Sequence, residues 1–241
     1  SSSAARKEVL ETGAAVCKYL NEASADLTQL RSDVNTEVKT TVDQINSYAT
    51  QIAELNQQIT VAATSGASTN ELEDRRDLLI DELSGLVGVS VTATTINTAD
   101  DGTTTASYTV TVNGSTLVDG NNARQLECYT ITSGAQDGLY GIRWADSGNS
   151  FDPGEDGALA ACLDLRDGTG ASGESKGIPY YIAQLDDFAQ TFAKAFNEGI
   201  YKDGTTYYDG HAGGYGADGS TGTRFFSYDG LSSTDLMASG A

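Results

Sequence analysis

The feature that most constrains the fold is a long helical pattern near the start of the chain. No Pro or Gly occurs between Ala14 and Ala63. Within this run, apolar or semi-apolar residues recur at alternating intervals of three and four: Val38, Thr41, Ile45, Tyr48, Ile52, Leu55 and Ile59. This spacing predicts an amphipathic helix with one buried seam. The intervening residues are mostly amides, and an amide-rich face favours packing against other protein.

The seam also extends backwards, with one irregular step. Its members are Val34, Leu30, Leu27, Ala23 and Leu20. The intervals from Leu30 to Val34 and from Val34 to Val38 are both four, an eleven-residue step that locally relaxes a left-handed supercoil. A helix from Leu20 to Thr60 would be about 60 Å long at about 1.5 Å per residue.

A shorter helical piece precedes this helix, over residues 4–20. Its apolar side comprises Ala5, Val9, Leu10, Val16 and Leu20. Gly13 lies within it, and because glycine weakens a helix, the sequence allows a kink or a break there.

Length and charge limit the possible functions. The chain has 241 residues, enough for one large or two small domains with a sizeable core. Its net charge is −20, which repels nucleic acid and anionic lipid. No apolar run is long enough to span a membrane, and no secretory leader opens the chain. We therefore expect no nucleic-acid partner and no membrane contact. Separately, both ends of the chain resemble cuts within a longer protein.

A second helix is predicted after a short polar loop. Ser68 and Glu71 match a capping box. The helix NELEDRRDLLIDELSGLVG follows, with Glu71 and Arg75 placed to form an ion pair. Its buried face comprises Leu72, Leu79, Leu83 and Leu86. Two helices joined in this way predict an antiparallel hairpin.

The hydrophobic period changes from 3.6 to 2 at Val89. Four β-branched and aromatic runs are separated by turn signals: VSVTATTI, SYTVTV, ECYTIT and GLYGIRW. They predict a small antiparallel β unit over about residues 88–150. In the second run, Tyr108, Val110 and Val112 alternate with threonines, so one face of the strand should be covered.

Helical spacing returns after residue 156. GALAACLDLRDG predicts a short helix closed by Gly168, and Pro179 marks the start of another. That last helix carries an apolar stripe: Ile182, Leu185, Ala189, Phe192 and Phe196. From Gly199 the chain is glycine-rich, and the FFSY segment at 225–228 is its apolar anchor.

These elements predict an α+β fold that is mainly α. We expect an elongated helical bundle with one long rod-like helix, carrying a small antiparallel β-rich insertion. The predicted parts are the long helix and helical hairpin (1–87), the β-rich insertion (88–156), the returning helices (157–200) and a Gly/Tyr-rich extended segment (201–241). Ile52 and Phe192 should be core positions on separate helices of one bundle.

Motifs for chemistry are weak, and we predict no catalytic, cofactor-binding or metal-binding residue. Gly168, Gly170 and Gly173 match G-x-G-x-x-G but follow a helix, which indicates a flexible loop that acts as a hinge. Asp152, Asp156 and Gly157 resemble part of a calcium loop, yet Leu163 stands where a glutamate is required, so an acidic turn capping the next helix is favoured.

Other acidic and histidine positions also lack a reactive arrangement. Asp203, Asp209 and Asp218 lack a calcium-repeat pattern, and His211 is the single histidine and has no nucleophile motif beside it. The adjacent carboxylates are expected to be solvated surface: Asp100 with Asp101, and Asp186 with Asp187.

Three cysteines lie far apart in the sequence. Cys17, Cys128 and Cys162 have no CxxC spacing, and an odd number cannot pair fully within the chain. We expect three free thiols that serve as small apolar residues.

Several segments together resemble the flagellar hook-associated protein 1 (FlgK) family. They are VDQINSYATQIAELNQQI, NELEDRRDLLIDELSGLVGV, GALAACLDLRD and LDDFAQTFAKAFNEG, with the YDG, GGYG and FF elements behind them. The first looks like the long core helix of the family. The resemblance covers about residues 1–92 and 157–230, whereas Asn121–Glu155 shows no clear counterpart. The terminal heptad segments of the family are absent from this sequence.

The resemblance implies a structural adaptor that joins the hook to the filament of the bacterial flagellum. It implies neighbouring copies in a ring, hook protein and the second hook–filament junction protein as partners, and an export chaperone that binds the absent C-terminal segment. It also implies an extracellular location reached by flagellar type III export, without a cleaved signal peptide and without catalysis. The isolated fragment should be monomeric.

Two alternatives belong to other classes. One is another extracellular or type III-secreted rod-like binding protein, such as an adhesin stalk or a translocator, which has no reason to carry the ordered set of segments above. The other is a secreted hydrolase domain inserted in a filament protein, for which a metal-binding His pair would be the signal; the chain has one histidine.

Overall fold

The fold is α+β and mainly helical, as predicted. The computed structural model describes residues 3–98, 102, 104–201, 204–216 and 219–226. The helices in these residues are α1 (Ser3–Ser65), α2 (Asn70–Leu86), α3 (Ala158–Asp167) and α4 (Ile178–Glu198). The strands are β1 (Val89–Thr98), β2 (Thr104–Val112), β3 (Ser115–Asp119), β4 (Asn122–Ala123), β5 (Leu126–Thr130), β6 (Tyr140–Trp144), β7 (Gly199–Tyr201) and β8 (Tyr207–Asp209). No helix in the described ranges has the length and apolarity needed to cross a membrane.

The chain packs into two compact units. The larger is Thr28–Tyr180, and the smaller is formed by the first 27 residues together with the chain from Tyr181 onward. Helices α1 and α4 each contribute to both units. This division follows tertiary packing, and the four-part division at residues 87, 156 and 200 stays a prediction.

Helix α1 is one continuous helix of 63 residues, so the break that the sequence allows at Gly13 does not occur. Gly13 is buried in the smaller unit, and the ring of Phe225 occupies the space that a side chain would fill. The glycine therefore creates a notch for the ring. Val9 and Leu10 were predicted on the covered side of this segment, but they are 48% and 61% exposed, which is also a correction.

The α1 seam is confirmed in the larger unit. Val38, Ile45, Ile52 and Ile59 are fully buried. Leu30 is 45% exposed, which contradicts its place in the seam. The adjacent Arg31 is half-buried and donates hydrogen bonds to two backbone carbonyls of the larger unit. With Arg31 in the seam in place of Leu30, the two consecutive intervals of four lie between Ala23, Leu27 and Arg31, so the eleven-residue step is still present but lies earlier in the helix.

Helix α2 forms the predicted antiparallel hairpin with α1. Arg76 donates a hydrogen bond to Asn56, and Glu82, later in α2, accepts one from Tyr48, earlier in α1, so the two helices run in opposite directions. The hydrogen bond to Glu82 raises the pKa of Tyr48. The capping box is wrong. The N-cap is Thr69, one residue later than predicted, which leaves Glu71 one position short of the required place. Glu71 instead pairs with Arg75 at 2.5 Å, as predicted.

The β region contains two antiparallel sheets rather than one unit. Strands β1–β4 form a four-stranded sheet in sequential order, and β5 pairs with β6. Strand β3 lies between two predicted runs and was not predicted. Val110 and Val112 are fully buried and Tyr108 is half-buried, which confirms the covered face of β2. Both sheets pack on the core formed by α1 and α2.

Helix α3 is confirmed, including its end at Gly168, but its predicted acidic cap is wrong. The N-cap is Gly157 with φ 91°, and no side chain of the described residues caps it. Gly157 approaches the backbone of Leu86 and Val87 so closely that a larger residue would collide. Pro179 is the second residue of α4, in agreement with its preference for the first turn.

The smaller unit holds an aromatic cluster around α4. Phe192 packs against Phe226 at 5.5 Å between ring centroids, and Phe196 packs against Phe225 at 5.0 Å. The amide of Asn197 accepts hydrogen bonds from both Phe225 N and Phe226 N. The apolar anchor is thus confirmed for residues 225 and 226. Phe192 and Ile52 lie in different units, so their predicted packing in one bundle is wrong.

Candidate functional site

The glycine motif forms a closed loop between α3 and α4. Gly170 N donates to Ser175 O at 3.0 Å, and Gly177 N donates to Gly168 O at 3.0 Å. A Cβ on Gly168 would collide with Ser175 O across the loop, and a Cβ on Gly177 would collide with backbone carbonyls at the end of α3. These glycines therefore permit the loop to close on itself, and their role as a hinge stays a prediction. Helix α3 leads into the motif at the place where a dinucleotide fingerprint needs a strand.

The described residues among those weighed as metal ligands do not form a metal-binding group. Asp152 Oδ1 accepts a hydrogen bond from Gly154 N at 3.0 Å, which is local turn geometry. No group of three potential metal ligands occurs in the residues that the structure describes. Asp209 lies in β8, whereas Asp203 and Asp218 fall outside the described residues, as do Asp100 and Asp101.

His211 lies beside a backbone oxygen and an aromatic ring, and the paired carboxylates of α4 are exposed. His211 Nδ1 lies 2.9 Å from Thr223 O, and its ring stacks on Phe196 with centroids 6.3 Å apart. Asp186 and Asp187 are exposed on α4. The expectation of no catalytic, cofactor-binding or metal-binding residue stays a prediction.

The three cysteines are separate thiols on α1, β5 and α3. Cys17 is exposed, whereas Cys128 and Cys162 are half-buried. Burial raises the pKa of the Cys128 thiol, against the opposing effect of nearby Lys39. Burial likewise raises the pKa of the Cys162 thiol. Both effects keep these thiols protonated, which fits their interpretation as small apolar residues.

A cavity of about 970 Å³ in the larger unit is lined by several carboxylates whose charges are already engaged. Asp164 accepts from Ser175 Oγ at 2.7 Å, and Asp167 accepts from Arg166. Glu174 accepts from the Thr169 hydroxyl. These bonds stabilise the α3–α4 loop itself.

The most distinctive polar feature is a pair of buried arginines that sequence reasoning missed. Arg76 on α2 and Arg166 on α3 are each 2% exposed. An arginine is almost never buried unless its charge is paired or hydrogen-bonded. The signal was present in two segments quoted above, because LEDRRD and LDLRD both contain Asp-x-Arg-Asp with the buried arginine at the third position.

Arg76 joins α1, α2 and β2. Its Nη1 donates to Asn56 Oδ1 at 3.2 Å and to Ala106 O at 2.7 Å. The same Asn56 Oδ1 accepts from Tyr108 N at 3.2 Å. The guanidinium also stacks on the Tyr108 ring, 3.4 Å from its centroid. We call Asn56, Arg76 and Tyr108 the Arg76 clamp.

Arg166 joins α1, α3 and β6 in the same way. Its Nη1 donates to Asn35 Oδ1 at 2.9 Å and to Tyr140 O at 2.7 Å. Asn35 Oδ1 also accepts from Tyr140 N at 2.9 Å. The remaining guanidinium nitrogens pair with Asp167 at 3.0 and 2.6 Å. We call Asn35, Arg166 and Tyr140 the Arg166 clamp.

The two clamps repeat one arrangement along α1. In each, an asparagine oxygen on α1 is shared by the arginine Nη1 and by the backbone N–H of a tyrosine in a strand. The two asparagines are 21 residues apart, close to six turns, so they lie on nearly the same side of the helix about 32 Å apart. The arrangement ties one flanking helix and one sheet to the long helix at each position.

A third asparagine contributes between the clamps. Asn46 Oδ1 accepts from Leu126 N at 2.7 Å, and its Nδ2 donates to Leu126 O at 2.9 Å. The amide-rich face of α1 therefore serves partly to bind the protein's own strands. Gln44, Gln51, Gln57 and Gln58 on α1 are exposed.

Proteins named flagellar hook-associated protein 1 align with most of this chain. It is 31% identical over 238 residues to flagellar hook-associated protein 1 of Bacillus subtilis, covering 94% of this chain and 44% of that protein. It is 33% identical over 232 residues to the protein of the same name from Salmonella typhimurium, covering 93% of this chain and 36% of that protein. The chain thus spans less than half the length of these relatives.

A solved structure and a family model agree with these relatives. The flagellar hook junction protein FlgK from Burkholderia pseudomallei is 32% identical, with a TM-score of 0.60 over 81% of this chain and 33% of that one. The family model for the helical domain of the flagellar hook-associated protein FlgK matches residues 1–226, including residues 121–155, for which the sequence motifs indicated no clear counterpart. The chain belongs to the FlgK helical-domain family.

Proposed function

We propose that this chain is part of a structural component of the bacterial flagellum, an adaptor that joins the hook to the filament. The observation that carries the proposal is the family match over residues 1–226, together with relatives named flagellar hook-associated protein 1. The described residues support a structural role because their buried polar groups tie helices to strands. No group of three His, Cys, Asp or Glu side chains that could hold a metal ion occurs in the described part of the chain.

The adaptor role defines the partners and the location. Neighbouring copies in a ring, the hook protein and the second hook–filament junction protein are the contacts of the assembled protein. An export chaperone binds a C-terminal segment outside this sequence. The protein is extracellular, is exported by the flagellar type III apparatus without a cleaved signal peptide, and is not an enzyme. The net charge of −20 supports the absence of nucleic-acid and membrane partners.

Deleting the gene in the parent bacterium tests this function. Cells without the protein should assemble hooks that carry no filament, because an adaptor is needed for the filament to attach. Electron microscopy of isolated hook–basal bodies counts filament-bearing hooks, and immunogold labelling of wild-type cells should mark the distal end of the hook. Restoring the intact gene is the control.

The same experiment separates the alternative. A rod-like adhesin or a secreted translocator would leave filaments of normal number on the deletion strain. Such an outcome, with labelling elsewhere on the cell, would refute the adaptor role.

A further inference from the structure

We propose that the two arginine clamps form a conformational device that divides the larger unit into two separately releasable modules. The Arg76 module consists of α2 and β1–β4, residues 70–123. The Arg166 module consists of β5, β6 and α3, residues 126–167. In this device the Arg76 module detaches from α1 before the Arg166 module does.

The repeated geometry supports separate modules. Each clamp uses its own asparagine of α1, its own Asp-x-Arg-Asp helix and its own sheet. The described strands of the two sheets share no β ladder, because β1–β4 pair in one sheet and β5 pairs with β6. Cooperative opening units in proteins often coincide with supersecondary motifs of this size. Each module is also contiguous in sequence, so no strand or helix of one module has to be withdrawn from the other when one detaches.

The Arg166 clamp is fully satisfied. The side chain of Arg166 is bidentate on Asp167, whose carboxylate is 20% exposed. A second arginine reinforces it, because Arg31 Nε donates to Arg166 O at 2.9 Å and Arg31 Nη2 lies 3.6 Å from the Asp167 carboxylate. Bidentate, partly desolvated arginine–carboxylate pairs are the strong class of such bonds.

The Arg76 clamp is less complete. Arg76 Nε has no hydrogen-bond partner among the described residues and lies 3.5 Å from an Asp77 oxygen whose side chain is 57% exposed. One carboxylate oxygen of Glu73 is buried on the same helix and also lacks a partner in the described structure. Buried polar atoms without partners carry their full desolvation penalty. The free energy needed to open the Arg76 module is therefore lower than for the Arg166 module, because water hydrogen-bonds to both atoms once the module detaches.

Hydrogen–deuterium exchange of the 241-residue chain, resolved by mass spectrometry, tests the order of release. In low denaturant, amides of β2 and β3 should exchange through an opening at least about tenfold more frequent than that of β5 and β6, a difference equivalent to about 1.4 kcal/mol. Equal exchange in both sheets, or faster exchange in β5 and β6, would overturn the order.

Conservative substitutions test the separation. Arg166→Lys keeps the charge but loses the fork, and it should lower protection of residues 126–167 by at least about tenfold while β1–β4 change by less than about twofold. Arg76→Lys should do the reverse. Arg75→Lys is the matched control, because Arg75 is an exposed neighbour on α2, and it should leave both modules unchanged. Loss of protection in both modules, or complete unfolding, in either clamp variant would refute separate modules.

Discussion

Replacing Asn56 by alanine tests the account of how α1 holds the larger sheet. The side chain is 1% exposed and makes four hydrogen bonds: Nδ2 to Tyr108 O and Gly120 O, and Oδ1 from Tyr108 N and Arg76 Nη1. At about 1 kcal/mol for each bond, Asn56→Ala should lower the free energy of unfolding by about 4 kcal/mol. The loss is large for one substitution because the backbone groups left behind stay buried without partners.

Urea unfolding followed by far-UV circular dichroism measures the change. Asn46→Ala removes two bonds to Leu126 and should cost about 2 kcal/mol. Gln57→Ala is the control, because Gln57 is exposed beside Asn56 and should change stability by less than about 0.5 kcal/mol. If Asn56→Ala were as stable as the control, the amide would not anchor the sheet, and the clamp interpretation of α1 would be refuted.

Three further predictions concern the rest of the chain. Gly13→Val should lower the melting temperature, because the new side chain collides with the Phe225 ring and overpacking costs about 1–3 kcal/mol, whereas Gly85→Ala, at a helical glycine with open space around it, should raise it. Maleimide labelling from pH 7 to 9 with peptide mapping should show that Cys17 reacts first. The two half-buried cysteines should react slowly and faster as the pH rises, because burial raises their thiol pKa values and limits the thiolate fraction. Equal rates at all three cysteines would contradict this. Light scattering should show a monomer at rising concentration in moderate salt, since a net charge of −20 opposes self-association; a stable dimer or ring would place assembly contacts on the surfaces present here.

Local patterns were sufficient to predict the elements. The α1 seam, the α2 hairpin, the change of period at Val89 and the start of α4 near Pro179 all follow from spacing and turn chemistry, and the structure contains them. Such features need only neighbours in sequence, because backbone hydrogen bonding and one covered face define a helix or a strand. The same local view failed at Gly13. Whether a glycine interrupts a helix depends on what fills the space beside it, here a ring 212 residues away in sequence.

The two buried arginines show more clearly what a local sequence pattern cannot predict. Two Asp-x-Arg-Asp segments were visible in the sequence, but charge alone places an arginine at the surface, where most arginines lie. Only the folded chain brings Asn35 and Asn56 against those arginines and against strand backbone. Their bonds join residues 20 and 131 positions apart, and the benefit of burying such a group depends on partners that a local pattern does not contain.

The sequence by itself determined the fold class, the long helix, the acidic surface charge and the resemblance to the FlgK family, because each rests on composition, periodicity or ordered motifs. The tertiary structure decided which polar residues are buried, that the β region forms two sheets, and that Ile52 and Phe192 belong to different units. The physical reason is that burial is a property of the surroundings. A hydrogen-bonding group gains or loses stability according to the partner that folding brings within about 3 Å, and no stretch of neighbouring residues specifies that partner.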